Sequence, residues 1–156
     1  MISVGDAVCT TTPLAGRGVT LALAQARALI GALDQHGGDI DSATMQFDHW
    51  CTENIRPWFD DHLRTDADRL RRWSGGDVDT TRRLPSGLIV AAAAADDTLR
   101  TAVEPYVRMD ALPASLAAVE PMAREIFAAG WRPAVPDGPT RAELADLCDT
   151  QQDGAA

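Results

Sequence analysis

The stretch GDAVCTTTPLAGRGVTLALAQA, residues 5–26, decides how this chain is read. A Gly-Asp pair, Gly5 and Asp6, leads through small polar residues to Pro13. Gly16 and Gly18 then open directly into an alanine- and leucine-rich segment. Gly5 lets another group approach the backbone closely, Pro13 stiffens the loop, and the two later glycines allow unusual dihedrals at a helix entry. The free N–H groups and positive dipole end of that helix face whatever lies in the loop, which favours a neutral or anionic polar edge. Residues 1–4 read as the end of a strand, and a carboxylate just after it, at Asp6, can accept hydrogen bonds from a sugar-like hydroxyl.

Outward from the loop, the chain reads as helical. Residues 17–36 form a first helix whose apolar positions Val19, Ala22, Leu23, Ala26, Leu29, Ile30 and Leu33 follow the period of one buried face, stopped by Gly37 and Gly38. A second helical stretch, 41–73, carries Phe47, Trp50, Cys51, Trp58, Phe59, Leu63, Ala67 and Leu70 at spacings of three and four, with a kink expected at 53–56 before Pro57. A third starts near Ser86 and runs to Val103, or past Pro105 to Met109. A fourth follows Pro113 and ends at Gly130. Residues 132–139, RPAVPDGP, read as a rigid linker, and Thr140 to Glu143 as the capping box of a last helix. Three units result: a strand–loop–helix over 1–38, a helical region over 39–150, and a disordered tail over 151–156. The fold class is mostly α, a short N-terminal strand and Gly-rich loop followed by about five helices. A lone strand with no partner cannot be stable by itself.

The spacing of the loop resembles the second FAD-binding motif of the FAD-dependent aromatic hydroxylase and monooxygenase superfamily, whose relatives include flavin halogenases and geranylgeranyl-type reductases. Gly5, Asp6, Ala7, Pro13, Gly16, Gly18, Ala22 and Ala26 fall in register with that pattern. The resemblance implies that Asp6 contacts a hydroxyl of the ribityl chain, and that the backbone at Gly16, Arg17 and Gly18 faces the pyrimidine edge of the flavin. Gly5, Asp6, Pro13, Gly16, Arg17 and Gly18 are thus the implied FAD-binding residues. NAD(P)H is the implied reductant. The sequence departs from the family at Cys9, Thr20 and Gln25, where His, Asn and Asp are frequent, which leaves hydroxylation, reduction and halogenation open.

The family's GxGxxG nucleotide-binding unit does not occur in these 156 residues. The chain therefore reads as an incomplete C-terminal part of an FAD/NAD(P)-binding α/β fold. Its expected partner is the nucleotide-binding and substrate domain, in the same or a neighbouring gene, and it is not expected to be active alone. A stand-alone helical interaction module that keeps a vestigial flavin loop is the alternative reading. No catalytic acid or base is assigned.

Bulk properties frame these expectations. A net charge of −9 argues against nucleic acid or an anionic membrane as partner. The longest apolar run, residues 88–95, is too short to span a bilayer, no basic-then-apolar leader opens the chain, and a cytoplasmic setting is the expectation. Exposed edges leave a homo-oligomer open. Cys9, Cys51 and Cys148 are too few and scattered for a disulfide framework, and Cys9 reads as a small filler of a tight turn. The arginines at 64, 69, 71, 72, 82 and 83 read as a solvated face paired with Asp60, Asp61, Asp66 and Asp68. His49, Cys51 and His62 do not share a helix face as three metal ligands would.

Overall fold

The computed structural model describes residues 2–134 and 142–145. Two single-turn 3-10 segments, Gly5–Ala7 and Pro13–Ala15, precede the first helix. The helices are α1 (Gly18–His36), α2 (Ile40–Asn54), α3 (Arg56–Trp73), α4 (Ser86–Ala92), α5 (Asp97–Val107) and, after a 3-10 segment at Pro113–Ala118, α6 (Glu120–Ala128).

The chain is mostly helical, as its periodicity requires, but the expected N-terminal strand is not formed. Val4 is extended at φ −139°, ψ 162°, yet no strand occurs among the described residues. An extended segment becomes a strand only when a neighbour pairs with it.

The long helical stretches divide where local chemistry supplies a new start. The 41–73 stretch breaks at Ile55, inside the expected interval, because Pro57 has no N–H to continue the ladder. The third expected helix is two. Asp96 caps a fresh helix, its carboxylate accepting from the Thr98 and Leu99 amides at 2.8 and 3.0 Å. Pro105, expected to kink it, sits inside α5 without ending it. The fourth begins as a 3-10 turn behind Pro113 and becomes α6 behind Pro121. Thr140 and the tail 151–156 lie outside the described residues, while 142–145 are helical.

One core runs from the loop to α6. It includes Cys9, Leu21, Phe47, Ile55, Trp58, Leu88, Leu99, Tyr106, Leu116 and Phe127. The first helix departs in part from the expected face, of which Leu29 and Leu33 pack against the core. It buries Leu21, Gln25 and Ala32, while Val19, Leu23 and Ile30 are 74, 66 and 59% exposed. α1 is apolar almost all round, so periodicity alone could not choose its face. Gln25 lies on the buried side, its Oε1 accepting from the Gly5 N–H at 2.9 Å while its Nε2 has no partner. Leu63 and Leu70, expected in the core, are exposed on α3. Trp58 is buried, and Trp50 and Phe59 pack against the core. No described helix is long and apolar enough to cross a membrane.

The arginine run is largely paired, Arg69 with Asp66, Arg71 and Arg72 with Asp68, Arg82 with Asp79 and Arg83 with Glu120. Asp60 and Asp61 are the corrections, Asp60 pairing instead with Arg56, outside that run. Asp61 is buried and takes no arginine of that run. Beyond α6, Arg132 is fastened by two 2.6 Å bonds to the Asp77 carboxylate, so the first residue of the expected linker is held against the α3–α4 connection.

Candidate functional site

The loop of residues 5–18 has two sides, and each borders a depression. The outer side is backbone-built. Gly5 adopts φ +65°, and its carbonyl accepts from the Val8 and Cys9 amides at 2.9 and 3.1 Å, folding the Gly-Asp turn on itself. Cys9 is buried beneath it, and burial pushes its thiol above the ordinary value, with Asp6 adding to the effect. That is the behaviour of a filler and not of a poised nucleophile.

Gly16 also takes φ +65°, ending the Pro13–Ala15 turn and aiming the chain into α1. Gly18 does not need its freedom for conformation. A Cβ there would only touch the Thr11 hydroxyl at 3.6 Å. No side chain caps α1, so its first-turn amides are left to face outward.

These features meet in an open groove of about 580 Å³ lined by Asp6, Thr11, Pro13, Gly16, Gly18, Val19 and Ala22. Asp6 is exposed. Four of the six expected site residues thus come together. Gly5 lies under the turn, held to Gln25, and the Arg17 side chain leaves in the opposite direction.

Arg17 enters the inner side. Its guanidinium lies 4.3 Å from the centroid of the Tyr106 ring and 4.7 Å from that of Trp58, and its Nη1 donates to the Tyr106 hydroxyl at 2.8 Å. The hydroxyls of Tyr106 and Ser86 each donate to Asp61 Oδ2 at 2.7 Å, and the Thr65 and Ser86 hydroxyls are 3.1 Å apart. A buried carboxylate is tolerable only when so satisfied. Burial raises the Tyr106 hydroxyl above its ordinary value, so it remains a donor.

His62, beside Asp61, is buried, and its Nε2 has no partner. Burial chiefly, and then the nearby Arg17 charge, lowers its pKa below 6.5, which keeps the ring neutral at neutral pH. This network lines a cleft of about 490 Å³ between the loop, α3, α4 and α5.

The inner site was not expected from the sequence. Its signal was the helix register: Asp61 and His62 stand three and four residues after Trp58, on the buried face of α3, where a carboxylate needs a partner. Of the other polar candidates, exposed His49 faces Glu53 at 3.3 Å, whereas Cys51 and His62 are buried.

No family model, curated protein or solved structure matches the chain.

Proposed function

We propose that the outer groove is the flavin-facing part of an FAD-dependent oxidoreductase, the reading that the Gly-Asp, Pro and Gly-x-Gly spacing suggests. The supporting observation is that Asp6, Pro13, Gly16 and Gly18 surround one open groove at the uncapped amino end of α1. The donor set fits FAD. The exposed Asp6 carboxylate accepts from a ribityl hydroxyl, and the first-turn amides donate to the electron-rich pyrimidine edge. Gly18 keeps the groove clear, since a side chain there would project among its lining residues.

FAD would supply the redox chemistry, with NAD(P)H as reductant, and these residues would only bind and orient it. The pyrophosphate and adenosine would be held by a nucleotide-binding unit outside these 156 residues. About three hydrogen bonds at about 1 kcal/mol each, plus up to about 1 kcal/mol from the helix dipole, barely offset the roughly 4 kcal/mol or more that immobilising a ligand costs. The chain alone should therefore bind FAD with millimolar affinity or weaker.

Amide NMR of the chain titrated with FAD tests this. Shifts should cluster at residues 6 and 16–19 and vanish in Asp6→Ala. Shifts scattered elsewhere, or shifts that Asp6→Ala leaves unchanged, reject the reading. A second reading, a helical module for a protein partner, draws support from the exposed Val19, Leu23 and Ile30 face of α1. Absent flavin shifts favour it.

A further inference from the structure

The inner cleft carries chemistry that the flavin reading does not use. A guanidinium has five N–H donors, and Arg17 spends one of them, on the Tyr106 hydroxyl. No acidic side chain among the described residues pairs with it. Its ring contacts hold the planar fork in place at the cleft wall, so little freedom is left to lose when a ligand arrives.

Three of the chain's arginines gather at this cleft, in a chain whose net charge is −9. Arg17, Arg69 and Arg108 line the cleft against the single carboxylate of Asp61. Asp61 is occupied by two hydroxyl donors, while Arg69 and Arg108 reach out to Asp66 and Glu104. Leu14, Val90, Val107 and Met109 supply an apolar wall to the same cleft.

An independent sign of an incomplete site is His62, which lines the cleft and is only 5% exposed. Its Nε2 is closed off from solvent and has no hydrogen-bond partner. Folded proteins rarely leave a buried polar nitrogen unpaired, so this one calls for a partner that the described residues do not supply.

We propose that this cleft binds a small organic acid, its oxyanion engaging the free donors of Arg17 and its apolar body lying along Leu14, Val90, Val107 and Met109. The volume of about 490 Å³ suits a molecule of that size. The oxyanion is a carboxylate or a phosphate monoester, since both match a planar fork. The site lies behind the loop that carries Asp6 and does not depend on the flavin reading.

Calorimetric titration of the chain in the absence of FAD decides it, with hexanoate, hexyl phosphate, hexanol and inorganic phosphate as probes. Hexanoate or hexyl phosphate should bind saturably at one site, and the tighter of the two names the acid. Hexanol and inorganic phosphate should each bind at least about tenfold more weakly, lacking the charge or the apolar body. Arg17→Lys, which keeps the charge but loses the fork, should weaken acid binding about tenfold or more. Arg17 is also part of the packing, so Arg69→Asp at the cleft rim provides a surface variant that should weaken acids and leave hexanol unchanged. Three outcomes overturn the proposal: no saturable acid binding, hexanol binding as tightly as hexanoate, or acid binding that neither variant alters.

Discussion

The two sides of the loop are built from different materials. The outer groove is made of backbone: two glycines at φ +65°, a proline, uncapped amides and one exposed carboxylate. The inner cleft is made of side chains: Arg17, Asp61, Tyr106 and Ser86 from four separate parts of the chain, joined by bonds of 2.7–2.8 Å. A backbone site needs only local dihedrals and is cheap to form. A buried side-chain network stands or falls with the whole fold, because each member is satisfied only by the others. Arg17 belongs to both, its backbone in the loop and its guanidinium in the network.

Breaking the inner network should have the largest effect. Asp61→Ala strips two buried hydroxyls of their acceptor and leaves Arg17 without the buried negative charge that Tyr106 relays to it. It should cost about 3 kcal/mol, read as a lower urea midpoint. On the outer side, Gly16→Val puts a β-branched residue at φ +65° and should cost about 2 kcal/mol by the same measurement.

A weaker, pH-dependent effect belongs to His62. Its folded-state pKa lies below 6.5, so the unfolded chain takes up the proton first. Stability should therefore fall as pH drops through 6.5, then level off below the folded pKa. His62→Phe should flatten that slope in thermal melts across pH 5–8.

Asp77 titrates at lower pH, and its sign is that of a depressed carboxylate. The hydrogen bonds from Arg132 hold it at about 2. Its contribution is present above about 4 and is lost as pH falls toward 2. Asp77→Asn should remove that acid sensitivity, and the change should be small because the pair is exposed.

The smallest stability change is expected at Gly18, where a side chain has room and the backbone is helical. Gly18→Val should leave the melting temperature nearly unchanged, yet abolish the FAD-dependent amide shifts at residues 16–19. Equal damage to stability from the Gly16 and Gly18 variants would erase the distinction between a glycine held for its dihedral and one held for open space.

Local sequence was enough for the helical class, the stop of α1 at Gly37, the break before Pro57 and the gathering of Asp6, Pro13, Gly16 and Gly18. The helical class follows from apolar periodicity, and the others from dihedral limits or missing donors within a few residues. Packing settled what local rules could not. It left residues 2–4 unpaired, since a strand exists only with a neighbour. It chose which side of α1 to bury, turning Leu21, Gln25 and Ala32 inward, where the helix's spread of apolar residues offered little preference. It also turned Asp61 from an expected surface charge into the centre of a network, because its partners Tyr106 and Ser86 lie 45 and 25 residues away in the chain and meet it only when α3, α4 and α5 pack.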